Sequence, residues 1–222
     1  MMPDYYSILR SEIAPLLPAN FAVVMDVGCG SGATLAWIRD RFSTTRLIGV
    51  EIEPSARAGA CKICKEIHGF DIEKDEGELA QFAGQIDVLL LLDVLEHLHD
   101  PWASLARLRK LLSPSGMVIA SIPNVRNIKV VLPLVLQGEW SYQGAGILDR
   151  THLRFFTRLS VEGLFNDAGY AIQSLGRTGP LTLRQVRSWS GFAAYILNIS
   201  TMGLVEDFIT HQFLVAARPK DR

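Results

Sequence analysis

Cysteine is scarce in this chain, three residues in 222, and an odd count offers no disulfide framework. The scarcity suits a reducing compartment. Cys61 and Cys64 form a C-x-x-C, but it lies inside the helical pattern PSARAGACKICKEI with no second cysteine pair or histidine couple at metal-site spacing. A packing role is therefore read ahead of redox or zinc chemistry. Long apolar runs are missing as well: VLLLL at 88–92 and FAAYIL at 192–197 fall far short of the roughly 20 residues that span a bilayer. The opening MMPDYYSILRSEIAPLLP carries Asp4, Glu12 and three prolines and has no basic-then-apolar export pattern. No lysine-rich tract with interleaved aromatics is present, so a nucleic-acid surface is disfavoured. These absences leave a cytoplasmic globular chain, expected to form a single domain over residues 1–222.

Net charge is also small, −1, but it is unevenly spread. Residues 1–101 hold 8 Lys and Arg against 16 Asp and Glu, whereas residues 102–222 hold 14 against 7. The two halves are expected to face different chemistry. Along the chain, short aliphatic runs alternate with helical patterns: AVVMDVG, RLIGVEI, IDVLLLLD and MVIASIP read as buried strands, and a further short strand ends near Asp71. SGATLAWIRDRF, PSARAGACKICKEI and PWASLARLRKLL read as the helices between them, the last two opened by Pro54 and Pro101. Continuous apolar strands joined by helices predict a Rossmann-like, doubly wound α/β sheet covered on both faces. Ligands then bind at the carboxyl ends of the strands. After Pro123 the rhythm breaks at two insertions, about 124–150 and 181–209, expected to form a substrate lid around the helix LSVEGLFNDAGY, with strands near AIQSLGR and at HQFLVAAR.

The stretch DVGCGSG, residues 26–32, carries the first functional signal. Gly28, Gly30 and Ala33 satisfy G-x-G-x-x-G/A, and Glu51 stands 23 residues after Gly28, where an acid that binds ribose hydroxyls belongs. On that pattern alone a dinucleotide site survives. Asp26 argues otherwise, because a carboxylate repels a pyrophosphate and welcomes a cofactor bearing sulfonium and ammonium charges. S-adenosylmethionine is such a cofactor.

The succession DVGCGSG, GVEIEP, IDVLLLLDVLEHLHDP and LLSPSGMVIASIPN resembles the class I S-adenosylmethionine-dependent methyltransferases over about the first 124 residues. The resemblance implies a seven-strand sheet in the order 3-2-1-4-5-7-6. It implies that the loop of Asp26, Gly28, Cys29, Gly30 and Gly32 meets the amino-acid end of the cofactor and that Glu51, beside Ile52, accepts from the ribose hydroxyls. Asp71 with the Ile72 amide would hold the adenine edge, and Asp93, Val94 and His97 would border the methionyl part. Asp93, Glu96 and His97 also resemble the acid-x-x-Glu-His stretch of quinone and small-RNA methyltransferases that bind a divalent ion. Most methyltransferases with a DVLEH stretch need none, and no metal is expected here.

The second half must select the acceptor. Its block DRTHLRFFT resembles methyltransferases of bacterial cell-surface polysaccharide pathways, and more distantly the methionine-biosynthesis protein MetW. A hydroxyl acceptor needs a proton acceptor, and His152 is the histidine chosen for that task. Asn124, Asp149, Arg150 and Arg154 are expected to converge on the acceptor, the two arginines on an anionic group. The reading is O-methylation of a sugar-like or other small acceptor, free or lipid-linked. The apolar insertions KVVLPLVLQ and FAAYILNI, with Arg126, Lys129, Arg184 and Arg187 nearby, are compatible with core packing, a homodimer or a peripheral membrane contact. Two rivals stand beside this reading. One is an NAD-dependent sugar oxidoreductase, opposed by Asp26 and by the lack of a Tyr-x-x-x-Lys pair; the other is a non-catalytic, MetW-like protein that binds the cofactor.

Overall fold

A computed structural model describes residues 5–42, 46–178 and 206–220. Seven strands form one sheet: β1 Val23–Val27, β2 Arg46–Val50, β3 Glu66–His68, β4 Ile86–Leu92, β5 Leu112–Pro123, β6 Tyr170–Thr178 and β7 Gln212–Pro219. Their order is β3-β2-β1-β4-β5-β7-β6, as the resemblance implied. Only β7 runs against its neighbours, pairing antiparallel with β5 and with β6. The helices are α1 Ala33–Arg41, α2 Pro54–Ala60, α3 Glu76–Ala80, α4 Pro101–Leu108, α5 Ile128–Gln137 and α6 Arg158–Asp167, with one further turn at Glu206–Ile209. No helix among the described residues is long and apolar enough to cross a membrane.

The sheet separates two hydrophobic layers because strand side chains alternate. In β4, Leu89 and Leu91 join Met25, Val27, Val118 and Ala120 on one side. Val88, Leu90 and Leu92 join Val24, Met117 and Ile119 on the other. Burial on both faces explains why β4 reads as an unbroken aliphatic run. The helices start where the sequence supplies caps. Asp100 accepts from the Ala103 amide at 2.9 Å with Pro101 in the first turn, and Thr157 forms a capping box with Ser160.

Two expectations are corrected. The helical pattern from Pro54 does not reach Ile67: α2 stops at Ala60, and Glu66–His68 is β3. Pairing of Ile48 with Glu66 and Val50 with His68 along the β2 edge overrides the local helical periodicity. Consequently β3 ends before Asp71, which lies in a loop. Strand β5 begins at Leu112 instead of Met117, because a register shift between Ile86 and Val88 accommodates the extra residues. Gly116 falls there against the Ile86 carbonyl, where a Cβ would clash. Within the first insertion the structure places α5, and the second, through residue 205, lies outside the described residues.

Asp87 ties the strand entrances together. Its Oδ2 accepts from the Ala22 and Val23 amides at 2.8 and 3.0 Å, and its Oδ1 accepts from the Ser113 hydroxyl at 2.7 Å. Burial raises its pKa, but these hydrogen bonds outweigh that effect and hold it below the ordinary carboxylate value. A depressed folded pKa gives stability above the unfolded value that is lost as pH falls through the folded one. We predict that Asp87→Asn lowers stability by about 1–2 kcal/mol at pH 7. Denaturant unfolding should show the difference from wild type shrinking below pH 4, the ordinary carboxylate range.

Candidate active site

The order of strands reverses between β1 and β4, and a cleft of about 850 Å³ opens at their carboxyl ends. That volume is in the range of small-molecule sites. The glycine loop forms its floor. Gly28, Gly30 and Gly32 all have positive φ, at 69°, 55° and 87°, a region that admits few other residues. At Gly30 a Cβ would also collide with the Tyr6 carbonyl. The loop is held from below by Glu51, whose Oε2 accepts from the Gly30 amide at 2.9 Å and whose Oε1 accepts from the Glu53 amide at 2.8 Å. Glu51 is 5 % exposed. Its carboxylate therefore presents remaining lone pairs to a ligand from a fixed position at the end of β2.

Asp26 lies beneath the same loop, 3 % exposed. Burial first, and repulsion from Glu51 second, push its pKa up to about 7, with Arg10 opposing. Asp93 sits at the end of β4 with φ 56°, the one non-glycine residue at positive φ among the described residues. Such strain concentrates at functional sites. Its conformation is over-determined: Ser121 Oγ and Gln212 Nε2 donate to Oδ1 at 3.0 and 2.7 Å, and Arg10 donates to Oδ2. Arg10 also reaches Glu12 and Gln212. Burial lowers the Arg10 pKa, yet Asp93 and Glu12 more than compensate.

Asp71 and Ile72 line the cleft farther out. Asp71 accepts from Lys74 Nζ at 2.7 Å and from the Glu73 amide at 2.9 Å. Burial raises its pKa, and these bonds overcome it, leaving it below the ordinary value.

The far end of the cleft is made by the turn before α6. The Leu153 and Arg154 amides both donate to the Glu96 carbonyl, at 2.8 and 3.0 Å, and stitch this turn to residues 95–97. Asp149, Arg150 and Thr151 thereby reach the cleft, beside His97. Asp149 accepts from the Thr151 amide and hydroxyl at 2.8 and 2.7 Å. His152 lies behind this wall, 7 % exposed, and its Nδ1 donates to the Ile147 carbonyl at 3.0 Å. Burial lowers its pKa. Glu96, 1 % exposed, faces it, and burial followed by repulsion from Asp93 raises the Glu96 pKa well above the usual range.

The structure thus gathers Asp26, Gly28, Cys29, Gly30, Glu51, Ile52, Asp71, Ile72, Asp93, Val94, His97, Asp149 and Arg150 around one cleft. Gly32 stands just outside as the residue that starts α1. Asn124 is not at the cleft: fully buried, it donates to the Asp207 and Thr210 carbonyls at 2.6 and 3.0 Å. Arg154 turns to the His99 carbonyl on the surface. Arg10 is the residue that sequence reasoning missed. It belongs to no motif, and only tertiary packing carries the N-terminal segment over the glycine loop.

A doubly wound sheet in this order, with a glycine loop after β1 and carboxylates ending β2 and β4, defines a class I S-adenosylmethionine-dependent methyltransferase. The chain belongs to the family described as Methyltransferase domain, whose model matches residues 3–175. Its cofactor is S-adenosylmethionine, and the nicotinamide alternative is set aside. The chain is 28 % identical over 202 residues to a ubiquinone biosynthesis O-methyltransferase of Cereibacter sphaeroides, covering 90 % of this chain and 76 % of that one. A protein of the same name from Pseudomonas paraeruginosa is 33 % identical over 72 % of this chain and 69 % of its own length. A trans-aconitate 2-methyltransferase of Deinococcus radiodurans is 28 % identical, but the match spans 54 % of this chain and less than half, 45 %, of that protein. Among solved structures, an S-adenosylmethionine-dependent methyltransferase of Archaeoglobus fulgidus superposes with a TM-score of 0.65 at 15 % identity, covering 93 % of this chain and 89 % of that one. That likeness is one of fold.

Two predictions follow from the cofactor end. Glu51→Ala should weaken S-adenosylhomocysteine binding by about 1–3 kcal/mol in calorimetry, since a charged acceptor is lost and the loop amides are released. For Asp26, a raised folded pKa makes the folded state bind more protons than the unfolded one between the ordinary value of 3.8 and about 7. Stability of the ligand-free protein should then fall as pH rises across that window and level off above it. Thermal melts of Asp26→Asn should lack this component.

Proposed function

We propose that the chain transfers the methyl group of S-adenosylmethionine to an oxygen of a small, hydroxyl-bearing, sugar-like acceptor. The observation that carries this reading is the continuity of the cleft from the glycine loop to His97, Asp149 and Arg150. Methyl transfer is an in-line displacement at a carbon already activated by the sulfonium. The acceptor oxygen forms its bond to the methyl carbon as the carbon–sulfur bond breaks, and the electron pair leaves on sulfur. The protein's task is alignment in a site screened from water, and Arg150 supplies a cation for an anionic group on the acceptor.

Activation of the hydroxyl falls to the cluster of Glu96, His97 and His152 at the acceptor end. His97 lines the cleft, and His152, the residue expected to take the proton, stands behind it with the two rings edge to face at 4.8 Å, so a proton from the acceptor reaches His152 only by way of His97. Oxygen as the acceptor atom is supported by the named activity of the Cereibacter and Pseudomonas relatives. The surface-polysaccharide pathway rests on the DRTHLRFFT block alone, since the relatives' names refer to ubiquinone biosynthesis and trans-aconitate. For a lipid-linked acceptor, α5 offers support: Val130 packs on Ile147 and Leu148, just before Asp149, while Leu132, Val135 and Leu136 stay exposed among the described residues.

His152→Ala should lower turnover by roughly 10² to 10⁴ while leaving S-adenosylhomocysteine affinity unchanged. The assay is methyl transfer from labelled cofactor to a panel of hydroxylated sugars, phenols and carboxylic acids, read by product mass. Tight cofactor binding with no turnover on any class would favour the regulatory, MetW-like alternative.

A further inference from the structure

Gln212 opens β7 and stands outside the lining of the cleft, yet it holds two residues that belong to that lining. Its Nε2 donates to Asp93 Oδ1 at 2.7 Å, and its Oε1 accepts from Arg10 Nη2 at 3.0 Å. Arg10 Nη1 donates to Asp93 Oδ2 and closes a ring of three side chains that lie far apart in the chain. The partners fix the orientation of the amide, because a carboxylate only accepts and a guanidinium only donates. Glutamine alone among side chains of this length meets both. Methionine would meet neither, glutamate would set a second carboxylate against Asp93, and lysine would set an ammonium against Arg10.

The ring also decides what the ion pair shows to the cleft. A guanidinium beside a carboxylate tends to close on it with two parallel N–H···O bonds, which leaves little for a third group. Here Gln212 Oε1 holds Nη2 aside, while Gln212 Nε2 and Ser121 Oγ occupy Oδ1. Arg10 is confined to Oδ2. With Nε on Glu12, Nη1 on Asp93 and Nη2 on Gln212, three of its five N–H groups are used, and one remains on each Nη. Asp93 Oδ2 likewise keeps a lone pair. The same contacts hold Asp93 at its φ of 56°, with its amide donating to Ser121 Oγ at 3.0 Å. Arg10 and Asp93 line the cleft together with Gly28 and Gly30. A cation with spare donors and an anion with a spare acceptor therefore stand side by side. That is the complement of a zwitterion, and S-adenosylmethionine ends in one, an ammonium and a carboxylate on the same carbon.

We propose that Gln212 is a positioning residue for the cofactor, holding Arg10 and Asp93 in a single-bonded pairing that leaves both open to the amino-acid end of S-adenosylmethionine. It acts through these two residues and from behind them. Strand β7 thereby takes part in a site otherwise built at the ends of β1, β2 and β4. The N-terminal segment is tied down at Arg10 as well as at Tyr6, whose carbonyl accepts from the Ser31 amide at 2.7 Å.

Two ligands that differ at the amino-acid end separate positioning from folding. S-adenosylhomocysteine has that end, whereas 5′-methylthioadenosine keeps the adenosine and the sulfur and lacks it. In calorimetry on the full chain, the wild type should prefer S-adenosylhomocysteine. Gln212→Met and Gln212→Glu should each weaken S-adenosylhomocysteine binding by roughly tenfold and leave 5′-methylthioadenosine within about twofold of the wild type. Retained binding of the second ligand reports a folded cleft. Unchanged S-adenosylhomocysteine affinity in both variants, a parallel loss of both ligands, or a wild type that binds the two equally overturns the assignment. None of these results bears on the acceptor, which the turnover assay tests separately.

Discussion

The grip of the Glu51 carboxylate on the Gly30 and Glu53 amides is the contact on which the cofactor end of this molecule depends. Three glycines in left-handed conformations make a loop that few other residues could form. Left alone, such a loop has every reason to move, since glycine loses the most freedom on folding. One buried carboxylate at the end of the neighbouring strand sets its position. In the proposed reading the same carboxylate also serves the ligand with the lone pairs it retains. Holding the loop and meeting the ligand are coupled in one group, and Asp26 beneath it shares the electrostatic cost.

Charge placement separates the two ends of the cleft. At one end Asp26, Glu51 and Asp93 line the cleft, with Arg10 as the buried counter-charge; in the proposed reading they face a cofactor that carries both positive groups and a carboxylate. At the other end His97, Asp149 and Arg150 line the cleft, and in the proposed reading they align and activate the nucleophile.

Much of this was legible in the sequence because it is written locally. The aliphatic strands, their helices, the glycine loop and Glu51 each depend on neighbours within a few residues, and β4 announces its double burial by carrying no polar residue after Asp87. What was not legible depends on distance in the chain. Arg10 reaches Asp93 across 83 residues and Gln212 across 202. Asn124 looked like an acceptor ligand because it follows β5, yet its amide is consumed by the carbonyls of Asp207 and Thr210. Glu96 and His152 meet because the backbone of Leu153 and Arg154 docks on the Glu96 carbonyl, and no local pattern encodes that. Strand β3 was misplaced for a related reason: its identity comes from the edge of β2, against the helical rhythm of its own residues.

A crystal structure of the chain grown with saturating S-adenosylhomocysteine tests the central claim most directly. The account predicts the ribose hydroxyls within hydrogen-bond distance of Glu51, the amino-acid end over the glycine loop between Arg10 and Asp93, and the sulfur facing His97 and Arg150. A ligand seated elsewhere on the molecule, or an empty cleft with Glu51 still bound only to the Gly30 and Glu53 amides, would contradict it.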